Sequence, residues 1–286
     1  MRGVNFEEFT IDVGGLTTRY LAAGGGPPLV LVHGVGQSNL DWRWTMPTLS
    51  RTHRVYAPNL PGVGGTARPT AADYSPAFYA RFLAAFLDAL GIERAGVVGT
   101  SLHGHSVLRL ALSEPARVSA VAVAGSTGLG RTFNPFTLPT VLPGYGELGI
   151  SWAKTPLGAV QRAWGQVPLL FGHPQRVPPE WIAEQVRLAQ LPGFLEAQLA
   201  TTRAQFGPLG QRALVLEELP RLTAPTLVVW GAYDRVVPVH QAQEAVARLE
   251  RGRLAIIPDC SHAAWLERPE RFAEILSEFF DEQEYR

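Results

Sequence analysis

Two kinds of hydrophobic pattern alternate along this chain. The opening stretches "FEEFTIDV" and "LTTRYLAAG" flank Gly14-Gly15, a pair of the kind that closes a two-residue hairpin, so two antiparallel strands are expected first. Six short runs follow: "PPLVLVHG", "HRVYAPNLPG", "RAGVVGTS", "VSAVAVAGS", "PTLVVWGAYD" and "GRLAIIPDCSH". Each is built on β-branched or apolar residues and stops at glycine, proline or a small polar residue, which suits strands buried on both faces of a parallel sheet. Between them the apolar positions take helical spacing. "SPAFYARFLAAFLDALG" offers Ser75 as N-cap, Pro76 at the first helical position and Gly91 as the stop, and "VPVHQAQEAVARLE" and "PERFAEILSEFFDEQ" repeat the period. Strands alternating with helices imply right-handed crossovers. The fold class that follows is α/β, with a mostly parallel central sheet flanked by helices.

One segment breaks the rhythm. From Gly128 to Gly210 the chain is rich in proline, glycine, tryptophan and leucine, carries helical spacing in "PPEWIAEQVRLAQLPGFLEAQLATTRAQ", and presents no convincing strand. It reads as a helical insertion between two core strands. Residues 1–127 and 211–286 are then the core and residues 128–210 a cap, and an excursion of that length is normally functional, such as a lid.

Composition narrows the partners. The 286 residues are 46% hydrophobic, enough for one globular domain carrying an insertion. Lys plus Arg and Asp plus Glu balance at 25 each, so no broad basic field awaits nucleic acid or an anionic membrane. A small, mostly apolar molecule is the expected partner. "MRGVNFEEFTIDVGG" has glutamates where a secretory signal would be apolar, and no later run reaches the roughly 18 apolar residues of a membrane span. The expectation is a soluble, cytoplasmic protein. Cys260 is the single cysteine, which excludes an internal disulfide and any multi-thiolate metal site. His103 and His105 lie two apart on a helical stretch and so point to different sides, and no metal site is expected from them.

The candidate chemistry sits at strand ends. Gly99-Thr100-Ser101 follows a strand and precedes "LHGHSVLRLALSE", the strand–serine–helix context of a nucleophile elbow. Gly99 stands two before the serine and Gly104 three after it, but His103 occupies the position two after, where the motif asks for glycine. A serine hydroxyl needs a base to take its proton and a carboxylate to orient that base. Asp234 lies just past the strand in "LVVWGAYDRVVP", and His262 lies in the loop after the last strand, giving the order Ser101, Asp234, His262. Asp259 is a rival orienting acid, three residues before His262 and poorly placed to reach the far ring nitrogen. For the developing oxyanion, "LVHGVGQSNLDW" offers the N–H of Val35 and the helix start offers that of Leu102. His33 reads as a brace for that loop.

The chain resembles the α/β-hydrolase fold superfamily, in particular its cofactor-independent esterases, C–C hydrolases and haloperoxidase-like members with a helical cap. "LVLVHGVGQSNLDW", "RVYAPNLPGVGGTARP", "VVGTSLHG", "TLVVWGAYDRVVP" and "IIPDCSHAAWLERPERF" look like family blocks in family order. The resemblance implies Ser101 as nucleophile, His262 as base, Asp234 as its orienter, no cofactor, and a cap over the site. Two positions depart from the pattern: Asn59 replaces the usual aspartate of its block, and His103 replaces the elbow glycine.

Within such a family an aspartate nucleophile marks epoxide and haloalkane hydrolases, so Ser101 points to acyl chemistry. Three readings stay open: hydrolysis of small apolar esters, C–C cleavage of a diketone-type substrate, and a ligand-binding member of the fold disabled by His103. His103 itself reads either as tolerated packing or as an auxiliary to the serine. Trp152, Trp164, Trp181, Phe133, Phe136, Phe171 and Phe194 give the cap aromatic surface, to pack it onto the core and to line an apolar pocket.

Overall fold

The computed structural model describes residues 6–284, apart from the side chains of residues 136–138 and 284. β1 (Glu7–Val13) and β2 (Leu16–Ala23) form the opening hairpin, turned by Gly14 and Gly15 at φ 58 and 85. That left-handed pair matches the twist of the flanking strands. Then come β3 (Pro28–Val32), β4 (Arg54–Pro58), β5 (Ala95–Thr100), β6 (Val118–Ala124), β9 (Thr226–Gly231) and β10 (Gly252–Ile257). The sheet order is β1-β2-β4-β3-β5-β6-β9-β10, antiparallel at β1/β2 and β2/β4 and parallel from there on.

Alternate side chains of each strand enter different cores, as the period of two requires. Val30, Val32, Val97 and Trp230 join the core under α2 (Pro76–Ala89), α3 (Ser101–Ser113) and α8 (His240–Val246). Leu29, Leu31, Val98 and Val229 join the opposite core, under α1 (Met46–Leu49), α9 (Ala264–Glu267) and α10 (Pro269–Glu284). α2 begins where the sequence places it: Ser75 Oγ accepts from Phe78 N–H at 3.1 Å and Pro76 opens the helix. One expectation is corrected at the sheet edge. β10 has a neighbour on one side only, and its residues are largely exposed or half-buried, so that run is not covered on both faces.

Between β6 and β9 the chain forms α4 (Tyr145–Ala153), α5 (Pro156–Leu170), α6 (Pro179–Ala189) and α7 (Phe194–Gln205). The long helical stretch of the sequence is thus two helices, parted at Leu191-Pro192-Gly193, because proline removes a ladder donor and clashes with the preceding turn. The segment also holds strand, contrary to expectation. β7 (Phe206–Gly207) and β8 (Gly210–Gln211) pair as a ribbon of two residues each, too short to show alternation in sequence.

The topology places the site. From β3 the chain goes to β4 on one side and then crosses to β5 on the other, so the strand order reverses between β3 and β5. Loops leaving such a pair diverge and open a crevice at the carboxyl ends of the strands. Val35 follows β3 and Ser101 follows β5. Leu31 is fully buried in central β3. Leu31→Ala is expected to lower unfolding stability by about 2–5 kcal/mol, read from urea denaturation followed by circular dichroism.

Candidate active site

Ser101 is the first residue of α3 and holds φ 52, a left-handed backbone that a non-glycine residue adopts only under constraint. The constraint is crowding. A Cβ on Gly99 would meet Val107 Cγ2 at 2.7 Å and Gly104 Cα at 2.9 Å, and one on Gly104 would meet Ser126 Oγ at 2.6 Å. The helix therefore passes close over the strand it leaves, and the turn between them is sharp.

His262, Asp234 and Ser101 come together across three loops. Ser101 Oγ lies 2.9 Å from His262 Nε2, and His262 Nδ1 lies 2.8 Å from Asp234 Oδ2. Asp234 Oδ1 accepts from the N–H groups of Val236 and Val237 at 2.8 and 2.9 Å, which fixes the carboxylate. Both Asp234 and His262 are buried. Gly125, after β6, was not singled out from the sequence. A Cβ there would lie 2.9 Å from the His262 ring, so the bare residue makes room for the pair. Asp259 does not join them: its carboxylate faces His173, Arg176 and Arg268.

The loop after β3 lies against the serine. A Cβ on Gly34 would be 3.1 Å from Ser101 Cβ, and Gly34 N–H donates to Gln37 Oε1 at 2.9 Å. His33 braces this loop from beneath: its Nδ1 lies 2.9 Å from Gly34 O, and its Nε2 accepts from Leu60 N–H at 3.1 Å. Burial holds its pKa down at about 4, so it is a neutral bridge. Val35 and Leu102 both border the same cavity as Ser101 and His262. Leu102 lies in the first turn of α3, where N–H groups lack intrahelical acceptors.

That cavity measures about 600 Å³ and runs from Ser101 up between α4, α5 and α7. Apolar groups dominate its wall, including Phe133, Leu169, Leu170, Leu199 and Phe206. Among the polar lining residues, which include Gln37, Gln161, Gln166 and Gln198, Arg162 from α5 carries a charge. Its guanidinium donates to Gln185 Oε1 at 3.2 Å and Gln198 Oε1 at 2.8 Å and lies over the Phe194 ring, and among the described residues it meets no carboxylate. Burial without a counter-charge lowers its pKa to about 10.

A family model described as the alpha/beta hydrolase fold matches residues 27–269. The chain belongs to the α/β-hydrolase fold family. It is 30% identical over 280 residues to the 2-hydroxy-6-oxo-6-(2'-aminophenyl)hexa-2,4-dienoic acid hydrolase of Metapseudomonas resinovorans, spanning 96% of this chain and 91% of that protein. It is 29% identical over 280 residues to the 2-hydroxymuconate semialdehyde hydrolase of Pseudomonas sp. (strain CF600), spanning 95% and 93%. A solved structure of a meta-cleavage product hydrolase from Pseudomonas fluorescens IP01 superposes with a TM-score of 0.81 at 25% identity, over 98% of each chain. No described helix of this α/β-hydrolase is long and apolar enough to cross a membrane.

The two departures from the α/β-hydrolase pattern have local explanations. His103 does not border the large cavity. Its ring packs edge-on to Tyr79 at 4.2 Å, lies 6.1 Å from His33, and borders a separate void of about 10 Å³ under α7. The close backbone approach is carried by Gly99 and Gly104, so a side chain fits at position 103. Burial pushes its pKa well below the usual histidine value, with the nearby His33 adding to the effect. Asn59 fixes its loop without charge, since its Oδ1 accepts from Asn39 N–H at 2.8 Å while its Nδ2 donates to Gly64 O at 3.3 Å. A carboxylate could not make the second bond.

The aromatic residues of the segment 128–210 divide by burial. Trp181, Phe171 and Phe194 are core, Phe133 and Trp152 border the cavity, Trp164 is exposed, and the Phe136 side chain lies outside the described residues. Sequence reasoning passed over Arg162, although it is the one charge in "PLGAVQRAWGQVPLL". It also passed over Asp41, which is buried near Glu184 of α6 and beside Trp181 and Trp265. Burial, and then the charge of Glu184, raise the Asp41 pKa to about 8.

Two outcomes follow. Folded Asp41 keeps its proton up to about pH 8 whereas the unfolded chain releases it near 4, so folding takes up a proton and stability falls as pH rises across that window. Asp41→Asn is therefore expected to be more stable than wild type at pH 8, by about 1–3 kcal/mol, with the gap closing towards pH 4 in urea titrations. His103→Gly empties the space beside Tyr79 and is expected to cost about 2–4 kcal/mol of stability. Its kcat/KM should stay within about threefold of wild type, because the ring is outside the cavity that holds Ser101.

Proposed function

We propose that this chain is a serine hydrolase that cleaves small, mainly apolar carboxylic esters through an acyl-enzyme. The observation that carries the reading is the continuous Ser101–His262–Asp234 hydrogen-bond chain at the floor of a large apolar cavity. Ser101 Oγ attacks the ester carbonyl while His262 Nε2 takes its proton, and Asp234 holds the imidazole with Nδ1 protonated and stabilises the imidazolium. The N–H groups of Val35 and Leu102 receive the oxyanion. His262 then returns the proton to the leaving alcohol, and water repeats the sequence to release the acid. Residues 128–210 act as the cap that walls the cavity and keeps bulk water from the acyl-enzyme.

A second reading has its own support. Arg162 is a cation on a mainly apolar wall, and it would pair with a carboxylate on the substrate. The relatives are named for 2-hydroxymuconate semialdehyde and for a 2-hydroxy-6-oxo dienoic acid, the latter a ketone that carries a carboxyl group. On this reading the same triad hydrolyses a C–C bond beside a ketone. The reading of a disabled ligand-binding protein loses its motive, since His103 leaves the elbow unobstructed.

Ser101→Ala is expected to lower turnover of p-nitrophenyl butyrate by about 10⁴-fold or more, and His262→Ala by a similar factor, with the double variant no worse than either. Retention of most of the rate in Ser101→Ala would overturn the triad. The two readings separate on substrates. Under ester hydrolysis the butyrate outperforms a 2-hydroxy-6-oxo dienoic acid in kcat/KM, and Arg162→Gln changes little. Under C–C cleavage the acid is preferred, and Arg162→Gln raises its KM by about tenfold or more while sparing the neutral ester.

A further inference from the structure

The loop that carries His262 has an anchor the proposed mechanism does not use. The Glu267 side chain is fully buried, yet its carboxylate meets N–H groups from two separate stretches of chain. Oε2 accepts from Ser261 N–H at 2.9 Å and from Gly172 N–H at 3.0 Å, and Oε1 accepts from His173 N–H at 2.9 Å. Arg176 Nη1 stands 3.6 Å from Oε1. Ser261 is the residue before His262, and Gly172 and His173 are the second and third residues past the end of α5.

The same two stretches are joined again beside it. Ala263 N–H donates to Leu170 O at 2.9 Å, and Ser261 Oγ lies 3.3 Å from Leu169 O and 3.2 Å from Tyr233 O. Leu169 and Leu170 border the cavity above Ser101. The residues on both sides of His262 are thus bonded to the end of α5, and Glu267 is the fully buried carboxylate of that junction, while the more exposed Asp259 carboxylate bonds to His173 and Arg176 at its rim. Bonds of N–H groups to a carboxylate are stronger than neutral ones, so they set the position of what they hold.

We propose that Glu267 is a positioning residue: it fixes His262 over Ser101 and ties the base to the α5 wall of the cavity, so that the two move as one body. The proposal rests on the triad reading above. It does not follow from burial alone, because a buried acid serving only to fold the chain needs no partner next to His262.

The test compares Glu267→Gln, Glu267→Ala and Gly172→Ala, with Arg268→Ala as a control that touches Asp259 and not Glu267. Gly172→Ala removes no charge, and its added Cβ would lie 3.2 Å from Glu267 Oε1, displacing the carboxylate slightly. It therefore serves even where the Glu267 variants do not fold. The readouts are kcat and KM on an activated ester, thermal unfolding, and the low-field proton resonance of His262 Nδ1–H. A base misplaced by about 1 Å costs on the order of 10²-fold, so Glu267→Ala is expected to lose about that in kcat. Glu267→Gln, which keeps one acceptor oxygen, should lose about tenfold and so rescue the alanine variant in part, with KM changed less than about twofold in both. The resonance should shift or broaden in all three and stay in place in Arg268→Ala.

Variants that lose only melting temperature, with kcat and the resonance as in wild type, would overturn the proposal. An unmoved resonance in Gly172→Ala would do so as well. The resonance needs no turnover, so it judges the positioning role even if no ester is hydrolysed, whereas a failure of Ser101→Ala to abolish activity overturns the triad reading instead.

Discussion

The left-handed backbone of Ser101 is the constraint on which the site depends. A non-glycine residue held in that conformation costs on the order of 1–3 kcal/mol, and it persists only where the surroundings leave no alternative. Here strand β5 and helix α3 approach so closely that Gly99 and Gly104 leave no space for a Cβ, and the chain between them must turn sharply. The turn lifts the hydroxyl above the sheet and leaves the first N–H groups of α3 unpaired beside it. The loop after β3 then closes to within 3.1 Å of the serine, measured from a Cβ built on Gly34. Position 103 is spared this crowding, and an imidazole occupies it.

Buried ionisable groups surround the elbow, and each is reconciled with low dielectric in a different way. Asp234 is bonded to His262 and to two backbone N–H groups. Glu267 is satisfied by three backbone N–H groups. Asp41 retains its proton, and His33 and His103 remain neutral. Among the described residues, Arg162 presents a charge to the cavity without an acid opposite it. The interior thus holds an imidazole hydrogen-bonded between Ser101 and Asp234 and, on the cavity wall, a cation that no described acid pairs.

The helical segment between β6 and β9 and the loops at the strand ends share more than apolar contact. The end of α5 is bonded to the loop bearing His262, and Glu184 of α6 accepts from Ser38 Oγ at 2.7 Å, close to the loop that follows β3. The loop bearing His262 and the loop after β3 are therefore both linked to the segment that walls the cavity.

Much of this was legible in the chain itself. Unbroken apolar runs ending in glycine or proline marked the parallel strands, and Ser75-Pro76 marked the start of α2, because burial and capping act over a few residues. Ser101, Asp234 and His262 could be picked out because each follows a strand and their order is fixed along the chain. Other features depended on which strangers in sequence become neighbours. β10 reads like an interior strand but lies at the edge, and the ribbon of β7 and β8 is too short to leave a period. Arg162, Asp41 and Glu267 look like ordinary surface charges in sequence. Burial and partners made them otherwise, and those are properties of packed pairs from distant segments, which no local pattern of residues encodes.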